Sequence, residues 1–434
     1  NRLKLSLILP DSPASLTPER TGGMKMDQPQ PERAARVQGR AFRRHVFYIP
    51  GYDPFHPRRY RELYRKESQA QTAVTGDGLS MKPKKGGGPY GWHVSAEVEG
   101  QAAETEIEVL VWSDIVKGSM SGTVLATYAQ LVRTAWTYIG SGALFRLARL
   151  RKGPTIAALY PVAVLILQLL LAVGAGWGLG AALAALIHPL AGWAVGPALA
   201  YLVLRAFRRW DNRIFAWYLM HDYAYTAQAR GANPPELEAR MAAFRTRIAD
   251  ALASGVDEVL VVGHSSGAHL GVSILADLIR AGLPPARPAL SFLTLGHVVP
   301  MVSFLPEARK LRGDLSFLST RDDITWVDVT APGDGCAFAL CDPVSVSGVA
   351  PEGKRWPLVI SAAFSQTLSP ARWKELRWRF FRLHFQYLCA FDRPGDYDYF
   401  RITAGAQTLG QRYEGRPASK SRIETPLSGY RTTV

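Results

Sequence analysis

Hydrophobic residues fall along this chain in two patterns: short continuous runs and longer stretches with helical spacing. Continuous apolar runs bounded by turn residues predict buried strands, and they occur at residues 46–49 and 107–112 and in DEVLVVGHSSG, ALSFLTLG and DITWVDVTAPGD. Helical spacing occurs in PELEARMAAFRTRIADALASG, which ends at Gly255, in AHLGVSILADLIRAGL and in SPARWKELRWRFFRLHFQYL. Buried strands that alternate with helices predict an α/β fold with a doubly wound, mostly parallel sheet.

One stretch is longer and more apolar than a soluble core helix usually is. Residues 155–207 contain no charged side chain before Arg205, whereas about 20 apolar residues suffice for a helix to cross a bilayer. The stretch therefore predicts two transmembrane helices in a hairpin, with the break either at residues 174–180 or at His188 and Pro189.

Basic residues flank this hairpin on both sides, while the turn between its helices has neither Lys nor Arg. The flanking residues are Arg146, Arg149, Arg151 and Lys152 before the hairpin, and Arg205, Arg208 and Arg209 after it. The positive-inside tendency then places both soluble halves in the cytoplasm, on a multi-pass hairpin in the inner membrane. The alternatives are a re-entrant hairpin that dips into one leaflet and a buried helical hairpin of a soluble protein.

Aromatic side chains follow the hairpin in the segment RRWDNRIFAWYLMHDYAYTAQARG. Aromatic residues beside a basic flank suit the headgroup layer of a membrane. The same residues are equally suited to packing a helix onto the soluble core. The sequence leaves both interpretations open.

These patterns divide the chain into five segments. They are an N-terminal tail at 1–40, the first part of an α/β core at 41–150, the transmembrane hairpin at 151–209, the second part of the core at 210–400 and an irregular C-terminal tail at 401–434. Residues up to about Gly23 are expected to be a disordered tail or upstream sequence outside the translated protein. Within the first core segment, residues 75–93 are rich in Gly and Lys and predict a loop joining two parts of the sheet.

The chain carries an excess of positive charge, with 51 Lys and Arg against 36 Asp and Glu and a formal net charge of +15. Such an excess indicates an anionic partner. The sequence contains no zinc-finger spacing, RRM signature or bZIP-like basic helix, so we expect an anionic membrane surface and no nucleic acid. Its three cysteines form no C-x-x-C pair, which favours a reducing compartment over a disulfide framework.

The segment VVGHSSGAHLG places Ser265 at the centre of a G-x-S-x-G motif, between a predicted strand and a predicted helix. Serine is a poor nucleophile unless a sharp turn exposes it beside a base and beside donors for the developing oxyanion. Gly263 and Gly267 remove side chains that would collide at such a turn. The motif therefore predicts that Ser265 is a nucleophile; the alternative is a tight turn without chemistry.

On this motif and on the order of its elements, the chain resembles the α/β-hydrolase superfamily, in particular its lipase- and esterase-like members. The resemblance covers about residues 46–388, with the hairpin inserted, and implies an oxyanion hole with two backbone donors. One is the N–H of Ser266, after the nucleophile. The other comes from the loop after an early strand, here FYIPGYDPF, in which we assign the N–H of Tyr52; this loop lacks the H-G-G-G form.

The superfamily orders its catalytic triad as serine, acid and histidine. His384 is the one histidine after the strand WVDVTAPGD, whereas His269 and His297 precede it, so the resemblance assigns His384 as the base. The acid is expected after the penultimate strand, predicted at residues 324–329. Asp334 ranks first because it lies on a glycine-flanked loop directly after that strand, and Asp342 and Asp328 follow in that order.

Together these features predict a membrane-anchored serine hydrolase that cleaves a lipid or an acyl ester through Ser265, His384 and Asp334. No cofactor and no metal are expected, because the sequence has no Walker loop, G-x-G-x-x-G or H-E-x-x-H motif. The same site would serve an acyltransferase, in which another alcohol replaces water. A non-catalytic membrane scaffold and a nucleic-acid-binding protein are the alternatives from other classes.

Overall fold

The computed structural model describes residues 40–84, 88–120 and 122–434. The predicted N-terminal tail, except Arg40, lies outside the described residues. The strands are β1 (Phe42–Ile49), β2 (Gly78–Pro83), β3 (Gly91–Val98), β4 (Gln101–Val109), β5 (Glu258–His264), β6 (Ala289–Leu295), β7 (Thr325–Thr330) and β8 (Leu358–Ser361). They form one sheet in the order β2-β3-β4-β1-β5-β6-β7-β8.

The sheet is mostly parallel, because β4, β1 and β5 to β8 pair in parallel and only β2 and β3 add antiparallel pairs at one edge. The prediction of an α/β fold with a mostly parallel sheet is therefore confirmed. Strands from before and after the apolar hairpin belong to this one sheet, with Ile49 of β1 level with Gly263 of β5. The carboxyl ends of β1, β5, β6 and β7 consequently meet at the same edge.

The helices follow in chain order. They are α1 (Arg58–Thr75), α2 (Ser113–Ser119), α3 (Val124–Gly140), α4 (Ala143–Leu150), α5 (Lys152–Leu186), α6 (Pro189–Arg209), α7 (Asp211–Ile214), α8 (Ala216–Gln228), α9 (Pro235–Leu252), α10 (Ser266–Arg280), α11 (Val299–Ser303), α12 (Arg309–Leu318), α13 (Pro343–Val346), α14 (Phe364–Thr367), α15 (Pro370–Leu376), α16 (Phe380–His384), α17 (Tyr399–Ala404) and α18 (Leu409–Arg412). A 3-10 turn at Gln386–Leu388 follows α16.

Hydrophobic cores lie on both faces of the sheet, because alternate strand residues point to opposite sides. In β1, Val46 and Tyr48 belong to a cluster that includes residues of α1 and α17. Phe47 and Ile49 belong to a second cluster, built with α9, α10 and α12. Helices therefore cover the sheet on both sides, as a doubly wound arrangement requires.

The apolar stretch forms two long antiparallel helices, α5 and α6, which meet at Ile187 and His188. The break therefore falls at the second of the two predicted places. Both helices are long and apolar enough to cross a bilayer, and only 22% and 17% of their most apolar windows are buried by protein. Polar and aromatic groups hold the base of the hairpin to the core, since Trp217 Nε1 donates to Gln168 Oε1 at 3.0 Å.

Glycines let α5 and α6 approach closely. A Cβ atom at Gly180 would lie 3.0 Å from the carbonyl oxygen of Gly192, and one at Gly176 would collide with the carbonyl oxygen of Gly196. Small residues at a helix interface allow this contact between backbones. Gly178, on the same helix, has open space around it.

Several element boundaries differ from the prediction. Residues 75–93 were expected to be a loop, but they contain β2 and the start of β3, because Leu79 and Met81 alternate toward the first cluster while their neighbours face solvent. The strand that was predicted to end at Trp112 ends at Val109, the last residue of β4. The late helical stretch is divided into α15, α16 and the 3-10 turn.

Two further segments differ from the prediction: one helix is shorter than expected, and the C-terminal tail is more ordered. Helix α9 ends at Leu252, before the predicted end at Gly255. The C-terminal tail is mostly without regular structure after α18, yet it packs on the core, since Ile423 forms a parallel bridge with Cys341 and Ser428 is buried.

Replacing Gly176 tests the close contact within the hairpin. Gly176→Leu forces the side chain against Gly196 and is expected to destabilise the protein by about 1–3 kcal/mol through overpacking. Thermal unfolding of the detergent-solubilised protein should show a lower Tm. Gly178→Leu is the matched control, with the same gain in helix propensity and no collision, and equal Tm values for the two variants would contradict this packing.

Candidate active site

Ser265 occupies a sharp turn between β5 and α10. Its backbone has φ 56° and ψ −119°, a conformation that costs free energy for a residue with a side chain. The turn is held from one side by a hydrogen bond from the Ser265 N–H to the carbonyl oxygen of Leu295 at 2.9 Å. A strained serine at a strand-to-helix turn is the geometry expected of a nucleophile.

Two glycines bring the loop after β1 against this turn. A Cβ at Gly267 would collide with the carbonyl oxygen of Ile49, and a Cβ at Gly51 would lie 3.0 Å from the Cβ of Ser265. No larger residue fits at Gly267 without moving backbone. The G-x-S-x-G spacing thus allows the end of β1 and the start of α10 to meet beside Ser265.

His384 and Asp334 form a buried hydrogen bond, with 2.7 Å between Nδ1 and Oδ2. A carboxylate can only accept, so Nδ1 carries the proton and Nε2 is the basic nitrogen of the neutral ring. Asp334 lies on the loop after β7 and His384 ends α16. Of the three predicted acids, Asp334 is the one that the structure joins to His384.

Asp334 accepts two other hydrogen bonds. The Cys336 N–H donates to Oδ1 at 2.9 Å and the Tyr387 hydroxyl donates to Oδ2 at 3.1 Å. Burial alone would raise the pKa of Asp334, but the positive charge that His384 carries when protonated, its hydrogen bond and these two donors lower it below its ordinary value. The carboxylate is therefore kept ionised beside the imidazole.

The other two candidate acids have different partners. Asp342 caps α13, accepting from the Ser345 N–H at 2.9 Å, and its second oxygen lies 2.5 Å from Lys354 Nζ. Asp328 points from β7 into the core, where burial raises its pKa to about 6 and Thr294 Oγ1 donates to it at 2.5 Å. Neither carboxylate is bonded to His384.

The other two candidate histidines have surroundings that differ from those of His384. His297 Nε2 lies 2.9 Å from the carbonyl oxygen of Cys341 and 3.6 Å from Asp328, and its side chain is fully buried. His269 lines the same cavity as Ser265, but burial lowers its pKa to about 4. In the described part of the chain, His269 Nδ1 has no hydrogen-bond partner.

His384 is positioned by two residues that sequence reasoning missed, His264 and Tyr387. The ring of His264 lies 4.9 Å from that of His384, and its Nε2–H donates to the His384 carbonyl oxygen at 3.0 Å. Burial lowers the pKa of His264 to about 3, so its ring stays neutral. Tyr387, besides donating to Asp334, accepts from the Ala331 N–H at 3.0 Å. In the sequence, His264 could have been noticed because it lies inside the G-x-S-x-G motif, and Tyr387 because it follows His384 by three residues.

Ser265 and His384 line one cavity of about 1060 Å³. Among the described residues, no hydrogen bond joins Ser265 Oγ to His384. Catalytic hydrogen bonds often form or tighten only when a substrate is bound.

The two predicted oxyanion donors differ in their relation to the cavity. Ser266 begins α10, where first-turn N–H groups have no partner within the helix, and it lines the cavity. Tyr52 follows Gly51, and its loop is fixed by hydrogen bonds from Trp112 Nε1 to the Pro50 carbonyl at 3.0 Å and from the Tyr218 hydroxyl to the Tyr52 carbonyl. Tyr52 is buried and, unlike Ser266, is not among the described residues that line the cavity.

The cavity is bounded by the start of α5, by α8 and by the segment around α16. Most of its wall is apolar, and its charged side chains are Asp222, Arg213, Arg379 and Arg382. Burial raises the pKa of Asp222 to about 7, which sequence reasoning did not anticipate. The apolar wall residues include Ile156, Ala157, Leu219, Val298, Met301, Val302, Phe380 and Phe381.

The aromatic residues after the hairpin, which were expected either to face membrane headgroups or to pack onto the core, differ in their burial. Trp217 and Tyr225 are buried in the hydrophobic clusters, where they pack α8 onto the core. Trp210, at the end of α6, is 65% exposed. Core packing therefore accounts for the residues on α8, and Trp210 alone of these three is free to reach a membrane surface.

Among the residues that the structure describes, two groups of side chains have the composition of a metal site. Asp334, Cys336 and His384 offer ligand atoms within 4.8 Å of one another, and so do His45, Glu106 and Glu108. In the first group, burial raises the pKa of the Cys336 thiol well above its ordinary value, which disfavours the thiolate that binds metals. In the second, Arg247 lies 2.9 Å from Glu108 and Lys84 lies 2.5 Å from Glu106, so cations already neutralise the carboxylates.

No family model matches this chain, and no curated protein or solved structure matches it. Inferences about its function therefore depend on the sequence motif and on the geometry of the site.

The pKa of Asp222 predicts a pH-dependent stability. An unfolded Asp titrates near pH 3.9, so between about pH 4 and pH 7 the folded state keeps a proton that the unfolded state releases. The free energy of unfolding should therefore fall as pH rises through this range. In Asp222→Asn this contribution is absent, and the variant should gain Tm relative to the wild type as pH rises from about 4 to about 8.

Asp250→Asn, at an exposed position of α9, is the control for the loss of a carboxylate. Its Tm should follow that of the wild type across the same pH range. A Tm difference between wild type and Asp222→Asn that does not change with pH would contradict the raised pKa.

Proposed function

We propose that this protein is a membrane-anchored serine hydrolase of the α/β-hydrolase superfamily, acting on an acyl ester of a lipid. The observation that carries the proposal is the buried His384–Asp334 hydrogen bond at the wall of the cavity that also contains the strained Ser265. Nucleophile, base and acid come from three separate parts of the chain. Their meeting at the carboxyl edge of a parallel sheet favours a catalytic site over a simple turn.

The proposed mechanism has two stages. Ser265 Oγ attacks the ester carbonyl while His384 Nε2 takes its proton, and Asp334 stabilises the imidazolium that forms. The backbone N–H groups of Ser266 and Tyr52 bind the oxyanion. The tetrahedral intermediate then expels the alcohol, which takes the proton from His384, and leaves an acyl group on Ser265.

Water releases the acyl group in the second stage. His384 removes a proton from the water as it attacks the acyl-enzyme, and then returns that proton to Ser265 Oγ as the carboxylic acid leaves. The serine and the neutral imidazole are thereby regenerated, and no cofactor is required.

The substrate class follows from the wall of the cavity. Its residues are mostly apolar and its volume of about 1060 Å³ is at the upper end for small-molecule sites. Ile156, Ala157 and Tyr160, at the start of α5, form part of this wall. An acyl chain would thus bind beside the hairpin that we propose as the anchor, and a bilayer would supply such chains.

The anchor is supported by length, composition and charge. Both hairpin helices are apolar and largely uncovered by protein, and Arg208 and Arg209 lie at the end of α6. The positive-inside tendency then places the catalytic domain on the cytoplasmic face of the inner membrane.

Fluorophosphonate labelling of the purified protein tests the proposal. The wild type should be labelled, Ser265→Ala should not, and His384→Ala and Asp334→Asn should react at least roughly 10²-fold more slowly because the base is lost or misoriented. Ser273→Ala, a buried serine on α10, is the control and should react like the wild type. An unlabelled wild type would favour a non-catalytic scaffold, whereas labelling of Ser265→Ala equal to that of the wild type would mean that another residue reacts, and either result would contradict the proposal.

A further inference from the structure

Helix α3 exposes a continuous apolar stripe. Leu125, Ala129, Val132, Trp136 and Ile139 are spaced alternately four and three residues apart and all are exposed, with Leu125 and Trp136 each 80% accessible. This spacing places them on one face of a helix. The opposite face is already used, because Val124 and Leu131 pack in a cluster with α5, α6 and α8. The stripe is therefore a second apolar surface, outside the core and outside the hairpin.

The stripe begins at the base of the hairpin. Arg208, near the end of α6, donates a hydrogen bond to the carbonyl oxygen of Gly122, just before α3. The Tyr128 hydroxyl donates to the carbonyl oxygen of Leu165 in α5 at 2.9 Å. Leu125 thus lies where α6 ends and where the apolar surface of the hairpin meets the catalytic domain.

The two hairpin helices have unequal lengths. With 21 residues, α6 spans about 32 Å, which matches a hydrocarbon layer of about 30 Å. With 35 residues, α5 spans about 52 Å. The facing glycines fix their antiparallel register, so α5 extends past the end of α6 toward the active site.

That extension remains apolar on its outer side. Ile156 is 66% exposed and Leu159 is also exposed, and both lie on the part of α5 before Leu165. A bilayer that covered only the paired part of the hairpin would leave these residues and the α3 stripe in water. Exposed apolar surface of this extent marks a partner surface.

We propose that α3 is an interfacial helix whose stripe lies in the headgroup layer of the same bilayer, so that the catalytic domain rests on the membrane along α3 and the start of α5. The inference rests on the proposed membrane anchor. Its physical basis is the continuity of the stripe with the hairpin and the charge around it: Arg133 is the only charged residue of α3, and Arg146 and Arg149 are exposed on α4. Apolar and aromatic residues beside Arg fit an anionic lipid surface.

This placement has a consequence for the active site. Ile156 and Tyr160 belong both to the exposed start of α5 and to the wall of the catalytic cavity. With α3 in the headgroup layer, that wall lies at the depth of lipid ester groups. A substrate would then reach Ser265 from the bilayer without crossing water.

Spin-label accessibility tests this placement. Three exposed alanines on different helices are replaced one at a time by cysteine: Ala129→Cys in the stripe, Ala175→Cys on α5 in the middle of the hairpin and Ala243→Cys on α9. Cys336 is half-buried and could react with the spin label, so it is replaced by alanine in each variant. Cys341 and Cys389 are buried and are left in place. The labelled proteins are reconstituted into vesicles of phosphatidylcholine and phosphatidylglycerol, and relaxation by oxygen and by a water-soluble nickel chelate is measured.

The three labels distinguish the outcomes. The proposal predicts that Ala129→Cys and Ala175→Cys are relaxed by oxygen more than by nickel, with Ala129→Cys at the shallower depth, while Ala243→Cys shows the reverse. A lipid-exposed Ala175→Cys with a water-exposed Ala129→Cys would overturn the interfacial helix and leave the anchor intact. Nickel access at Ala175→Cys would overturn the anchor itself. Dipolar broadening at Ala129→Cys would indicate a second copy of the chain on the stripe and would also overturn the proposal.

Discussion

The hydrogen bond between His384 and Asp334 is the interaction on which the arrangement of the site depends. An ionised carboxylate is costly to bury unless donors surround it, and His384, Tyr387 and the Cys336 N–H supply them. Through these bonds the loop after β7 is joined to α16. His264, the last residue of β5, then ties His384 to the strand that precedes Ser265, so three segments distant in the sequence are fixed relative to one another.

The hairpin and the cavity share the start of α5. Because this helix is apolar from the cavity wall to the tip of the hairpin, the same element serves in our proposal as anchor and as part of the substrate site. The contacts of Trp217 and Tyr128 with α5 attach it to the α/β core at mid-length. In this proposal, one helix therefore couples membrane attachment to substrate binding.

Local sequence patterns predicted the fold class correctly but missed an edge strand and the point at which a late helical stretch is divided. The α/β class and the mostly parallel sheet followed from short apolar runs between helices, because buried parallel strands need such runs. The edge strand β2 was missed because four of its six residues are exposed and its sequence, GLSMKP, resembles that of a loop. The division between α15 and α16 was missed because helical periodicity does not show where the chain turns to bring His384 to Asp334.

The candidate site shows the same limit. Ser265, His384 and Asp334 were found from a motif and from chain order, and their roles remain predictions. Asp222, His264 and Tyr387 were missed because their environments depend on contacts between distant segments, such as the burial of Asp222 in the cavity wall. No local pattern in the sequence reports such contacts.

The central claim is that Ser265 carries an acyl intermediate. Acid quenching of the protein during reaction with a long-chain p-nitrophenyl ester, followed by peptide mass spectrometry, tests it most directly. The account predicts an added acyl mass on the peptide that contains Ser265. Turnover of the ester with no acylated Ser265, or with the acyl group on Cys336 instead, would contradict it.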